Sequence, residues 1–342
     1  MSLGKLRVAM LLTMTLLFGF VAGVFGLVVW FLGPQWSLGQ GLFYILVFTV
    51  LLTVGQWWMG PWMIRQFTRM RELKEGEYPW LQDMVRDLAK KAGIPKPKLY
   101  LVMDATPNAF AFGRTPSDSN IAIHAGLLNV LNKEEVEAVV AHEVGHIKHW
   151  DVPIIMVASM VPMLVYYLVV FFMARQTEDR GGASPILVFL AAFVAQFLSR
   201  LIVMYLSRTR EYYADAFSAA ATRNPTALQT ALAKIVYGFP AGAPASSSQD
   251  KRAFYIADPV SSAKIAQAVN EDELGKNVEE SERVREKEGA KLGASEIKHA
   301  IEWERTAGGA KIGEIFGTHP LTYKRLDALE ELKKDLPPLE AV

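Results

Sequence analysis

Apolar residues run from Val8 to Ile64 without a single charge. A helical membrane span needs about 20 apolar residues, so this stretch is long enough for two. Gly33-Pro34 and the polar stretch Ser37 to Gly41 interrupt it, which predicts a hairpin of spans at roughly Val8–Leu32 and Gly41–Met63. These cores are longer than that of a cleavable signal peptide, so the hairpin is expected to remain as an anchor. Two more runs, Val152 to Met173 and Pro185 to Leu206, flank a polar loop at Arg175 to Ser184 and predict a second hairpin.

Between the hairpins the pattern turns periodic. Leu81, Met84, Val85 and Leu88 recur at helical spacing until Gly93 and Pro95 stop the helix. Lys98–Met103, Asn108–Gly113 and Ser119–His124 read as three strands bounded by Asp104, Pro107, Pro116 and Asp118, and predict a small antiparallel sheet. Asn132, with Glu135 three residues on, makes a capping box for a helix whose buried side is Val136, Val139, Val140 and Ala141. The fourth apolar run continues helically into SRTREYYADAFSAAA. Asn224-Pro225 opens a helix with Leu228, Leu232, Ile235 and Val236 inward. After a Gly/Pro/Ser loop, Gly238 to Ser248, the stretch Glu271 to Arg305 is about half charged in mixed sign, which predicts a solvated helical or disordered insertion. Gly317-Thr318-His319-Pro320 leads a last amphipathic helix with Leu321, Leu326, Leu329 and Leu332, ended by Pro337.

Charge orients the spans. Lys5 and Arg7 precede the first hairpin, Arg65, Arg69, Arg71 and Lys74 follow it, and its connecting loop has none, so both ends are cytoplasmic by the positive-inside rule. An even number of crossings returns the chain to that side before Arg208 and Arg210. Trp57, Trp58 and Trp62 suit the interfacial belt. Arg200, inside the fourth run, either faces a protein cavity or snorkels to the nearby cytosolic end. Over the whole 342 residues, 51% are apolar and the net charge is +1, so nothing points to a nucleic-acid partner. Cysteine is absent, which excludes disulfides and Cys-type zinc sites and fits a reducing compartment.

The capped helix carries the chemistry. It contains His142-Glu143-x-x-His146. Residues four apart lie about 40° round a helix, so both imidazoles project from one face and can reach one Zn²⁺ at roughly 2.1 Å. Glu143 stands beside them, placed to take a proton from water at the metal without ligating it. A catalytic zinc normally has three protein ligands. Glu211 is the expected third, and Asp215, four residues on, shares its face and can orient a ligand imidazole. His149 competes for the third position, but it lies about 10 Å along the axis from His142, and three ligands from one straight helix converge poorly.

Taken together, NAFAFG, AHEVGHIKHWD, the two later spans, SRTREYYAD and the terminal THP followed by Arg325 resemble the HtpX family of membrane-bound zinc metalloproteases, relatives of the CAAX prenyl proteases. The resemblance implies one zinc per chain on His142, His146 and Glu211, Glu143 as catalytic base, Asp215 behind a ligand, and His319 as a C-terminal histidine approaching the site. It also implies that Asn108, Ala109, Phe110 and Ala111 form a substrate-binding edge strand. The stretch of about 261–306 is longer than the family pattern.

The expected architecture is therefore a mainly α integral membrane protein with four transmembrane helices and a zincin-like cytosolic metalloprotease domain carrying a small β-sheet. Its parts are an N-terminal hairpin (1–64), a cytosolic region with the sheet and metal helix (65–151), a second hairpin (152–206) and a C-terminal helical region (207–342). The implied function is zinc endopeptidase cleavage of misfolded or membrane proteins at the cytosolic face of a bacterial inner (plasma) membrane. The alternatives are a prenyl-peptide protease and a non-catalytic zinc-binding scaffold; intact Glu143 argues against the scaffold.

Overall fold

Three extended segments separated by proline and aspartate turns, with a short strand from Met70–Glu72, build the sheet that packs on the metal helix. The structure is a computed structural model and describes residues 38–68, 70–179, 185–237 and 317–334, with a few positions between 301 and 339. The strands are β1 (Met70–Glu72), β2 (Lys98–Val102), β3 (Ala109–Gly113) and β4 (Ser119–His124), in the order β1-β2-β4-β3. The sheet is mixed, which corrects the antiparallel expectation. β4 inserts between β2 and β3, so it runs parallel to β2 from Lys98↔Asn120 to Val102↔His124. β3 is antiparallel to β4 and lies at the sheet's edge, and β1 pairs antiparallel with β2 at the other edge. β1 was not expected: Met70–Glu72 reads as the charged flank of a span.

The helices are α1 (Leu38–Thr68), α2 (Pro79–Ala92), α3 (Ala125–Val130), α4 (Lys133–Lys148), α5 (Asp151–Asp179), α6 (Pro185–Thr222), α7 (Pro225–Tyr237) and α8 (Thr322–Leu332). The described chain forms two compact units. One holds the residues before Thr53 with Met163–Ala195; the other holds Thr53–Pro162 and everything from Gln196 on. The second unit contains the main core, where Leu81, Val85 and Leu88 of α2, Ile121 and Ile123 of β4, Val136, Val139 and Val140 of α4, and Leu228 and Leu232 of α7 are buried together. The aromatic side chains of Phe110 and Phe112 point to the opposite sheet face, beside Tyr100.

Among the described residues, two helices are long and apolar enough to cross a membrane: α5 over Asp151–Val170, and α6 over Ile186–Thr222. Little of either is buried, unlike the core helix of a soluble protein. The expected span Gly41–Met63 falls within α1, whereas Val8–Leu32 lies outside the described residues. So does most of the charged insertion; of its described last residues Glu302 and Arg305 are exposed, as expected of a solvated segment, and Glu304 departs from that expectation. Glu304 is buried and accepts hydrogen bonds from the Thr322 and Tyr323 N–H groups at 3.4 and 2.9 Å. The first N–H groups of α8 have no partner within their own helix, which is why an acidic side chain is drawn in.

Candidate metal centre and active site

Asn132 caps α4. Its side-chain oxygen accepts from the Glu135 N–H and the Glu135 carboxylate accepts from the Asn132 N–H, both at 2.9 Å. The helix then carries His142 and His146 one turn apart, with their Nε2 atoms 3.0 Å from each other. Gly145 lies on the side facing α6. A Cβ there would stand 3.1 Å from Ala214 Cα and 3.2 Å from Phe217 Cβ, so glycine permits the close approach of the two helices. Ser218 Oγ donates to Ala138 O at 2.7 Å across the same contact. That approach delivers Glu211, whose Oε2 is 3.6 Å from His142 Nε2 and whose Oε1 is 3.6 Å from His146 Nε2.

These three residues fit a divalent metal. Donor atoms round a tetrahedral zinc with bonds of about 2.0–2.1 Å stand about 3.4 Å apart, which the observed spacings bracket. His142 Nδ1 lies 2.9 Å from Asp215 Oδ1, and His146 Nδ1 lies 2.6 Å from Asp151 Oδ2. A carboxylate beside Nδ1 keeps the ring proton there, so the two Nε2 lone pairs face each other. A cation between them removes that conflict. Glu211 Oε2 is likewise buried with no hydrogen bond, though charged groups stand near it. Burial, and then the neighbouring His146, lower His142 to about 4, leaving it neutral and able to ligate at pH 7.

Charge compensation comes from Arg325 of α8. Its Nε and Nη2 grip Asp215 at 2.9 and 2.6 Å, and Nη1 is 3.2 Å from Glu211 Oε2. Burial opposes the guanidinium charge, but Asp215 and Glu211 hold it protonated. The preceding loop is fastened to α6, where Arg208 Nη1 donates to the Glu314 and Gly317 carbonyls, each at 2.9 Å. The loop brings His319 Nδ1 to 3.1 Å from Glu211 Oε2.

Glu143 faces β3. One of its carboxylate oxygens accepts from the Ala111 N–H at 2.7 Å, and burial raises the group to about 7 despite that bond and the nearby His146. The antiparallel ladder alternates inward and outward backbone groups. His124 N bonds to Asn108 O, so Asn108 and Phe110 turn their backbone toward β4, while Ala109, Ala111 and Gly113 turn theirs to the open edge. Of the four expected strand residues, Ala109 and Ala111 thus turn backbone groups to the open edge, and Asn108 and Phe110 turn theirs to β4. His149 stands apart from the metal cluster, its ring against Tyr213 and Phe217.

Two residues had no role assigned from the sequence. Asp151 reaches His146 only because the chain turns at Trp150, which breaks the helical spacing; Arg210 of α6 pairs with its other oxygen. Arg325 left a legible signal: it falls on the buried stripe of α8 with Thr322 and Leu329, where an arginine needs acidic partners.

Two helical histidines, a glutamate from a later helix and a carboxylate set against an edge strand are the groups that a metallopeptidase centre uses. Residues 75–333 match peptidase family M48, and the chain belongs to that family. It is 39% identical over 237 residues to a protease HtpX homolog of Methanothermobacter thermautotrophicus, covering 69% of this chain and 88% of the relative. A protease HtpX homolog of Aeropyrum pernix is 33% identical over 334 residues, with 94% of this chain and 96% of that one covered. Among solved structures, Ste24p of S. mikatae shares the fold at a TM-score of 0.53 and 17% identity, over 96% of this chain and 67% of that one.

Proposed function

We propose that this metallopeptidase is a zinc endopeptidase embedded in the plasma membrane by four spans, with both termini and the active site cytosolic, and that it cleaves misfolded and membrane proteins. The observation that carries the reading is the convergence of His142, His146 and Glu211 at zinc-like spacing beside Glu143. One zinc per chain sits on those three residues, with Asp215 and Asp151 orienting the imidazoles. When bound, the ion supplies a Lewis acid at the scissile carbonyl and brings the pKa of a water toward about 7.

The chain's own groups do the rest. Glu143 takes the proton of the attacking water on the carboxylate oxygen not held by Ala111 and delivers it to the leaving amine nitrogen. The water oxygen first bonds to the carbonyl carbon; the C–N bond then breaks as the nitrogen takes the proton from Glu143 and the carbonyl re-forms. His319 donates to the carbonyl oxygen as charge develops there. An extended polypeptide pairs with the outward backbone groups of Ala109 and Gly113 and with the Ala111 carbonyl, the Ala111 N–H being held by Glu143. Such pairing reads chain conformation more than side chains, which supports action on unfolded polypeptide and a part in membrane-protein quality control.

Proteolysis of a membrane protein, casein and a prenylated peptide tests this, beside reporters fused after Pro34, Arg71, Gly181 and Val342. The expected result is cleavage of the first two substrates, with the Arg71 and Val342 reporters cytosolic and the other two outside. Cleavage of the prenylated peptide alone would replace the reading with the prenyl-protease one. An external Arg71 reporter would put the site on the wrong face.

A further inference from the structure

Trp150 sits in the turn between α4 and α5 with φ 58. That is left-handed backbone, where a large L side chain is crowded and which glycine or asparagine enters with little strain. Core packing does not account for it, because the residue is 50% exposed. Trp150 does line a shallow, open cleft together with Ala111 and Gly113 of β3, His146 and Ile147 of α4, and Pro153 of α5. The cleft therefore begins at a candidate metal ligand and runs along the open edge of β3.

We infer that this cleft is a substrate subsite, walled by Trp150, that takes a large apolar side chain of a polypeptide paired with β3. The inference rests on the peptidase reading and adds a specificity to it. Side chains of a paired strand alternate between its two faces, so every second one turns toward α4. Ala111 and Gly113 leave room over the edge for it. Ile147, Trp150 and Pro153 make the walls apolar. The charges bordering the cleft are already paired: Arg114 binds Asp118 at 2.9 Å and covers the Trp58 ring, and Asp151 is held by His146 and Arg210. Neither is available to read a charged side chain. The opening turn of α5, where its apolar stretch begins, supplies part of the wall, so apolar segments leaving a bilayer would meet this subsite first.

The test uses the full-length, metal-loaded protein in detergent. Mass spectrometry of cuts in unfolded casein should show large apolar residues enriched at one position near the scissile bond. At that position, kcat/KM for a Phe peptide over its Ala counterpart should fall about tenfold in Trp150→Gly and hold in Trp150→Phe. Trp150→Gly should melt no lower than wild type, since glycine relieves the backbone. Affinities of the same two peptides for Glu143→Gln, with and without Trp150→Gly, give a readout independent of turnover and should show the same loss of preference. An unenriched cut profile, or a Phe/Ala preference equal in wild type and Trp150→Gly, overturns the inference. A Trp150→Gly change confined to membrane association, with the preference intact, also overturns it and makes the residue an interfacial anchor. If wild type cuts nothing yet binds the Phe peptide more tightly, the peptidase reading fails while the subsite stands.

Discussion

From Pro185 to Leu206, α6 turns Ile186, Leu190, Leu198 and Ile202 outward at 55–71% exposure; from Ser207 to Thr222 the same helix buries Glu211, Asp215 and Ser218 to 5% or less. A water-soluble helix would do the opposite. The first half suits hydrocarbon, where exposed leucine and isoleucine cost nothing. The second half holds carboxylates out of water, which is tolerable only when each meets positive charge or hydrogen-bond donors. Arg325 and the imidazoles of His142, His146 and His319 stand beside them and meet that need. The lesson is that the apolar half locates the helix and the charged half makes its partners indispensable.

Breaking the charged half gives the largest effect. Arg325→Met leaves Asp215 and Glu211 buried without their guanidinium, and thermal melts should show a loss of about 3–5 kcal/mol. Arg325→Lys should recover only part, because an ammonium cannot reproduce the two-pronged grip on Asp215. An unchanged melt would mean that water reaches these carboxylates.

The orienting carboxylates come next. Asp215→Asn and Asp151→Asn should each lower zinc affinity or turnover by about 10–100-fold. Glu211→Gln should lower zinc affinity further, and His149→Ala should leave it alone. Metal analysis after dialysis against graded chelator separates these cases, and loss of zinc in His149→Ala would move the third ligand there.

A smaller effect concerns Glu143 in the chelated protein. Its folded-state value of about 7 exceeds its ordinary 4.5. Between those values the folded chain keeps a proton that the unfolded chain has released, so stability falls as pH rises from about 4.5 to about 7 and stays low above. Glu143→Gln removes that penalty. It should raise the melting temperature of chelated protein at pH 8 and barely change it at pH 4; equal shifts at both would contradict the buried placement.

The smallest effect belongs to the apolar half. Ile202→Ala should change stability by no more than about 0.5 kcal/mol, whereas a core isoleucine would cost about 2–5 kcal/mol. A loss of core size would show that this face packs against protein rather than lipid.

Much of this was legible in local pattern. The capping box, the spans of β3 and β4, the pair of histidines and the continuation of α6 to Glu211 each rest on residues a few positions apart. What escaped rests on long-range pairing. Short connections among β2, β3 and β4 suggest neighbouring antiparallel strands, yet β4 lies between the other two, and no local signal encodes that order. Asp151 depends on the left-handed turn at Trp150, and Arg325 meets Asp215 from 110 positions away. Glu304 was hidden by its charged surroundings, which give no sign that the chain there meets the bare end of α8.

The most direct test of the account is zinc content measured beside hydrolysis of unfolded casein, for wild type before chelation, after it and after zinc is restored, and for Glu143→Gln. The account predicts one zinc per active wild-type chain, activity lost and regained with the metal, and a Glu143→Gln protein that keeps its zinc and cuts nothing. Full turnover by chelated wild type, or by zinc-loaded Glu143→Gln, would contradict it.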